Sequence, residues 1–193
     1  MIAKHHRIYL QYRPDAASIE RLVIWQKSIM AVNPQARPIA PERIHLTVIH
    51  FGIIADALRE LREQLPSLDE AVFFRALDAF LADSQAALPD HALLSPEKIS
   101  LFGHTGSVVA VSCRADDKLI AAHQAALEHL KSFFRSVGIS EPVGFMQGSP
   151  NFRFALTFRP HLSLAKAARQ LPSERTIHSD ESLMLQRMKV HYT

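Results

Sequence analysis

Polar and apolar positions alternate along "HHRIYLQY", residues 5 to 12, which predicts a first β-strand. Pro14 ends it, and Asp15 stands where a helix start needs a cap. From 15 to 31 the period changes: Ile19, Leu22, Val23, Gln26 and Met30 fall on one stripe, with Ile29 at its edge, which is helical spacing. "NPQARPIAPE" stops that helix with three prolines, and a strand over 43–51 follows. Residues 54–88 read as mainly helical, divided at Pro66. "EKISLFGHTGSVVAVSC" reads as a hairpin, with one strand to Phe102, a turn around "GHTG" and a second strand from Ser107 to Cys113. Residues 116–137 carry the clearest helical stripe, including Leu119, His123, Leu127, Leu130 and Phe134, with Asp116 or Asp117 as cap and Gly138 as stop. "GISEPVGFMQGSPN" reads as a loop, "FRFALTF" and "RPHLSLAKA" as strand-like on either side of a bend, and 182–192 as a last strand. This mixed order predicts an α+β fold with mainly antiparallel pairing.

Composition narrows the picture modestly. With 193 residues, 48% hydrophobic and 21% charged, the chain fits an ordinary globular protein able to bury its own core. Lone Cys113 excludes an internal disulfide and reads as a small strand hydrophobe. Neither a signal peptide nor a membrane-length apolar run is visible, so a cytoplasmic location without membrane contact is the expectation. The net charge of +3 favours an anionic ligand mildly, and no basic tract marks a nucleic-acid-coating surface.

Candidate chemistry sits in the strand at 43–51. "RIHLTVIH" and the later "RPHLSLAK", 159–166, share one pattern: a basic residue, one residue, then His-Leu-hydroxyl-aliphatic. Side chains two apart on a strand share a face, so His45 projects beside Thr47, and His161 beside Ser163, while the leucines pack inward. Either histidine alone reads as an ordinary satisfied strand residue. The template recurs twice where roughly 0.3 occurrences are expected by chance from this composition, and the pair therefore reads as a site. On a regular strand His50 would point away from His45, which argues against a shared metal. No His-Glu-x-x-His or cysteine-rich spacing supports one either. Base stacking is open to Tyr9 and Phe51, but packing is the simpler reading of both, as it is of His123, and exposure that of His104.

The two motifs resemble those of the two-histidine (2H) phosphoesterase superfamily. "HLTVIHFG", "RPHLSLAK" and "RIYL" at 7–10 look most like the RNA 2′,3′-cyclic phosphodiesterases, also called 2′-5′ RNA ligases. Ser163 replaces the commoner Thr, and Lys166 stands where that family usually has Arg, which loses bidentate geometry. The resemblance implies one two-lobed domain over 1–193, with two pseudo-symmetric lobes of mainly antiparallel sheet and outer helices around a central cleft. It implies hydrolysis of a 2′,3′-cyclic phosphodiester to a 2′-phosphate with no cofactor and no metal. His45 and His161 would be catalytic, Thr47 and Ser163 phosphate-binding, and Lys166 and Arg159 further substrate contacts. Which histidine is acid and which is base stays open, with His45 as acid the favoured assignment. The partner would be RNA ending in a cyclic phosphate, or a small cyclic nucleotide, taken by a monomer. The rival readings are a non-catalytic module binding an RNA phosphate and 2′-5′ RNA ligase activity.

Overall fold

A computed structural model describes residues 3–102, 107–166, 182–188 and 191–192. Strand β1, Arg7–Pro14, leads into helix α1, Ala16–Val32, where Asp15 accepts the Ser18 amide at 2.8 Å as the expected cap. A two-residue strand β2, Arg37–Pro38, and a 3₁₀ turn, Pro41–Arg43, precede β3, Leu46–Ile53. Helices α2, Ile54–Gln64, and α3, Glu70–Ala87, lie on either side of Pro66, as the sequence predicts. The hairpin β4, His91–Phe102, and β5, Val108–Ala115, leads to α4, Asp117–Ser136, which Asp116 caps through the Leu119 amide. A short α5, Pro142–Gly148, and a 3₁₀ turn, Arg153–Leu156, come before β6, His161–Lys166. Strands β7, Leu183–Arg187, and β8, His191–Tyr192, close the described chain.

Three expectations change. "FRFALTF" is a 3₁₀ turn rather than a strand: Phe152 and Ala155 are buried, but Arg153 and Phe154 both point to solvent, so the alternation a strand needs is missing. Helix α5 forms inside the stretch read as loop, with Pro142 in its first turn, where a missing amide hydrogen costs nothing. Strand β4 starts at His91 and carries Pro96 beside a register shift, the sheet position that tolerates proline. The "GHTG" turn with His104 lies outside the described residues.

The α+β, antiparallel expectation holds. The strands pair in the order β2-β6-β5-β4-β7-β1-β3, with β8 also pairing with β1. Two halves are visible in this order. In the first, β1 is followed by a capped helix and pairs with β3; in the second, β5 is followed by a capped helix and pairs with β6. Each helix also reaches across: α1 packs on β6, and α4 on β3. Beneath the sheet, Phe51 of β3 meets Phe80, Phe133 and Phe152 with ring centroids 5.3–5.8 Å apart, as far as Phe51 itself is concerned. Such offset and edge-on contacts stabilise a core beyond simple burial. Although four strands separate them in the sheet, β3 and β6 approach with Cα atoms within 8 Å. The sheet therefore curls until the two motif strands meet.

Candidate active site

Both motif histidines are held in the same way. His45 Nδ1 lies 2.8 Å from the Arg43 carbonyl, and His161 Nδ1 lies 2.8 Å from the Arg159 carbonyl. A carbonyl only accepts, so each Nδ1 carries the hydrogen, and proton exchange falls to Nε2. The basic residue two positions before each histidine thus contributes its backbone. Both rings are half-buried and each has an aromatic neighbour: Phe102 stacks on His161 at 4.6 Å, and Tyr9 lies tilted 5.9 Å from His45.

The repeat extends to the backbone of the sheet. Gln11 pairs with Thr47 and Leu10 with Ile49, which leaves Val48 as an extra residue. Ala110 pairs with Ser163 and Val109 with Ala165, which leaves Leu164 extra at the same point. These bulges shift the alternation by one residue. His50, opposite Tyr9, therefore returns to the face of Thr47, and Lys166, opposite Val108, to the face of Ser163. This overturns the placement of His50 on the opposite face, since that placement assumed a regular strand. His50 stacks on Tyr9 with centroids 5.0 Å apart, and burial, then the Arg7 charge, lowers its pKa below 6.5. Among the described residues, no group of three or more His, Cys, Asp and Glu is placed to hold a metal ion.

A cavity of about 470 Å³ opens on this face. His45 and Lys166 line it, so side chains from both motifs share it, together with Arg7, Tyr9, Gln11 and Arg13 of β1. Arg43 and His5 add further basic groups, and no carboxylate lines it. Four permanent cations without a counter-charge make the concavity attractive to an anion. A larger cavity, about 620 Å³, lies beside α2 and α5, but Asp56, Glu60, Glu63 and Glu141 dominate its charge and repel a phosphate. Among the sequence candidates, Thr47, Ser163 and His161 take half-buried places on β3 and β6. Lys166 is an exposed strand-end residue that also faces the cavity, and Arg159 is exposed. The two histidine motifs do not single out Arg7, Gln11 and Arg13, which line this cavity, and Tyr9, for which packing is the simpler sequence reading, lines it as well. Their signal was the alternation Arg-x-Tyr-x-Gln-x-Arg along β1, which sends every second residue to one face. Phe51 and His123 are buried, as expected. Burial pushes the Cys113 thiol up to about 12, in keeping with a packing role.

No family model matches the chain, and no curated protein matches it in sequence. Solved structures do. E. coli LigT in apo form superposes with a TM-score of 0.60 at 15% identity, covering 99% of this chain and 95% of that one. TT0787 of Thermus thermophilus gives 0.57 at 19%, covering 97% and 93%. A phosphoesterase gives 0.57 at 16%, covering 97% and 94%. The chain shares the fold of these proteins over nearly its whole length.

Proposed function

We propose that this chain is a two-histidine phosphoesterase that hydrolyses a 2′,3′-cyclic phosphodiester, on an RNA end or a free nucleotide, to a 2′-phosphate. The observation that carries the reading is the repeated histidine lock, with Nδ1 tied at 2.8 Å to the carbonyl two residues back, on two strands that meet. Fixed rings presenting Nε2 suit a reaction that needs a base and an acid on opposite sides of one phosphorus. One neutral ring takes a proton from the attacking water as the new P–O bond forms. The other, protonated, gives its proton to the 3′-oxygen as the P–O3′ bond breaks. Thr47 and Ser163 donate their hydroxyl hydrogens to the non-bridging oxygens, where charge develops. Lys166 adds positive charge, and the Arg159 carbonyl orients its histidine. E. coli LigT, which shares the fold, has been crystallised with 3′-AMP and with phosphate, ligands of the kind this site calls for. The same reading takes residues 1–193 as one two-lobed unit acting as a monomer.

The test is incubation with 2′,3′-cyclic AMP in EDTA, with product identification. Turnover to the 2′-phosphate is expected, and His45→Ala and His161→Ala should each lower kcat by about a hundredfold or more. Unchanged turnover in either variant overturns the assignment. Tight binding without turnover would identify a phosphate-binding module instead.

A further inference from the structure

The repeat duplicates the reacting groups but not what stands beside them. Each motif hydroxyl has one partner across the sheet on an inner strand: Ala110 of β5 faces Ser163, and Gln11 of β1 faces Thr47. Residues paired in this way share a face, with Cβ atoms about 4.5–5.5 Å apart. Ala110 brings a methyl group, whereas Gln11 brings a carboxamide beside the Thr47 hydroxyl. Gln11 is 3% exposed and lines the cavity that His45 and Lys166 share, and its carboxamide enters no hydrogen bond among the described residues. Buried amides nearly always have partners, so an idle one facing a cavity is poised for a ligand. The neighbouring groups on the two inner strands are already engaged. Ser112, opposite His161, is bonded to the Ser100 hydroxyl at 3.0 Å, and Tyr9, opposite His50, is stacked on that ring at 5.0 Å. A phosphate oxygen only accepts, and a carboxamide has two N–H groups to give, so Nε2 is the atom that meets an anion.

We propose that Gln11 is a third donor to the reacting phosphate, and that it makes the two non-bridging oxygens of that phosphate unequal. The phosphate's place between the two motifs rests on the function proposed above. The oxygen on the β1 side receives Thr47 and Gln11, and the oxygen on the β5 side receives Ser163 alone. The site thereby distinguishes two oxygens that a fully symmetric repeat would treat alike. Because the carboxamide is neutral and fixed by burial, its bond strengthens as charge grows on the oxygen it meets.

Steady-state kinetics with the Rp and Sp isomers of adenosine 2′,3′-cyclic phosphorothioate test this. Each isomer puts sulfur, a weak acceptor, in place of one of the two oxygens. In the wild type the two values of kcat/KM should differ about tenfold or more. Gln11→Ala gives β1 the residue that β5 carries, and the ratio should shrink about fivefold or more. The same variant should lower kcat for the all-oxygen substrate about tenfold with KM nearly unchanged. Gln11→Met keeps the length of the side chain, deletes its donors and should act alike; should Gln11→Ala fail to fold, Gln11→Met decides. A merely structural Gln11 would slow both isomers equally and leave the ratio as it was. Equal isomers in the wild type, or a ratio that survives in the variants, overturn the contact while turnover itself upholds the hydrolytic reading. Should the wild type turn over none of these substrates, that reading falls, and calorimetric titration with inorganic phosphate decides the contact. Binding about threefold weaker or worse in the variants upholds it, and equal affinity overturns it.

Discussion

At the scale of single residues, the site is two copies of one arrangement, and each copy makes its own demand on its hydroxyl. Thr47 and Ser163 both lie two residues beyond a locked histidine and just before a bulge. On the proposed function, a donor placed there acts on charge that grows during the reaction, so removing it should affect kcat more than KM. Thr47→Val preserves shape and deletes the donor, and kcat for a 2′,3′-cyclic nucleotide should fall about ten- to a hundredfold. Ser163→Ala should do the same, whereas Ser163→Thr should keep most of the activity. Steady-state kinetics of the three variants check this. A rise in KM alone would show that the hydroxyls only hold the ground state.

At the scale of elements, the parts that were legible in the sequence are those set by local chemistry. Asp15 and Asp116 announce α1 and α4, Pro66 separates α2 from α3, and the two His-Leu-hydroxyl stretches mark β3 and the start of β6. The bulges were not legible, because Val48 and Leu164 are extra only relative to partners on β1 and β5. That single displacement hid the face of His50. The stripe on α1 also turned out rotated: Ser18, Leu22, Gln26 and Ile29 are its buried residues, since the helix must reach β6 as well as its own half. Gln26 shows why. Its Nε2 donates at 2.7 Å to the carbonyl of Leu164, the bulge residue, and at 2.8 Å to that of Ile39. It therefore ties the helix of one half to the motif strand of the other. Gln26→Leu takes the side-chain donor from the half-buried Ile39 carbonyl and leaves the buried Leu164 carbonyl with the Ile39 amide alone, and should cost about 1–3 kcal/mol in urea denaturation. The same variant should slow turnover, because the face of Lys166 depends on that bulge. A variant as stable as the wild type would mean that the bulge needs no tether.

At the scale of the whole molecule, two histidines outside the motif pair, half-buried His50 and buried His123, link folding to pH. His50 stacks on Tyr9 at the cavity wall, and burial, reinforced by Arg7, lowers its pKa. His123 lies on α4, its Nε2 3.1 Å from the Ala155 carbonyl and its ring stacked on Phe158 at 4.6 Å. Burial lowers its pKa too, and the Ala155 bond offsets part of that shift. In both cases the unfolded ring binds a proton at a higher pH than the folded one does. Their contribution to stability is thus complete above the ordinary value of 6.5 and declines as the pH falls through 6.5 towards the lower folded values. The urea midpoint should accordingly drop between pH 7.5 and pH 5. His123→Gln, which can still donate to Ala155, should be less stable at pH 7.5 for want of the stack, yet show a shallower drop. A midpoint constant across this range would contradict the burial argument for both residues. Because Phe158 and Ala155 belong to the segment that delivers β6, the acid limb of any activity profile must be measured where the urea midpoint shows the protein folded. Only then does loss of turnover report on His45 and His161 rather than on the scaffold that holds them.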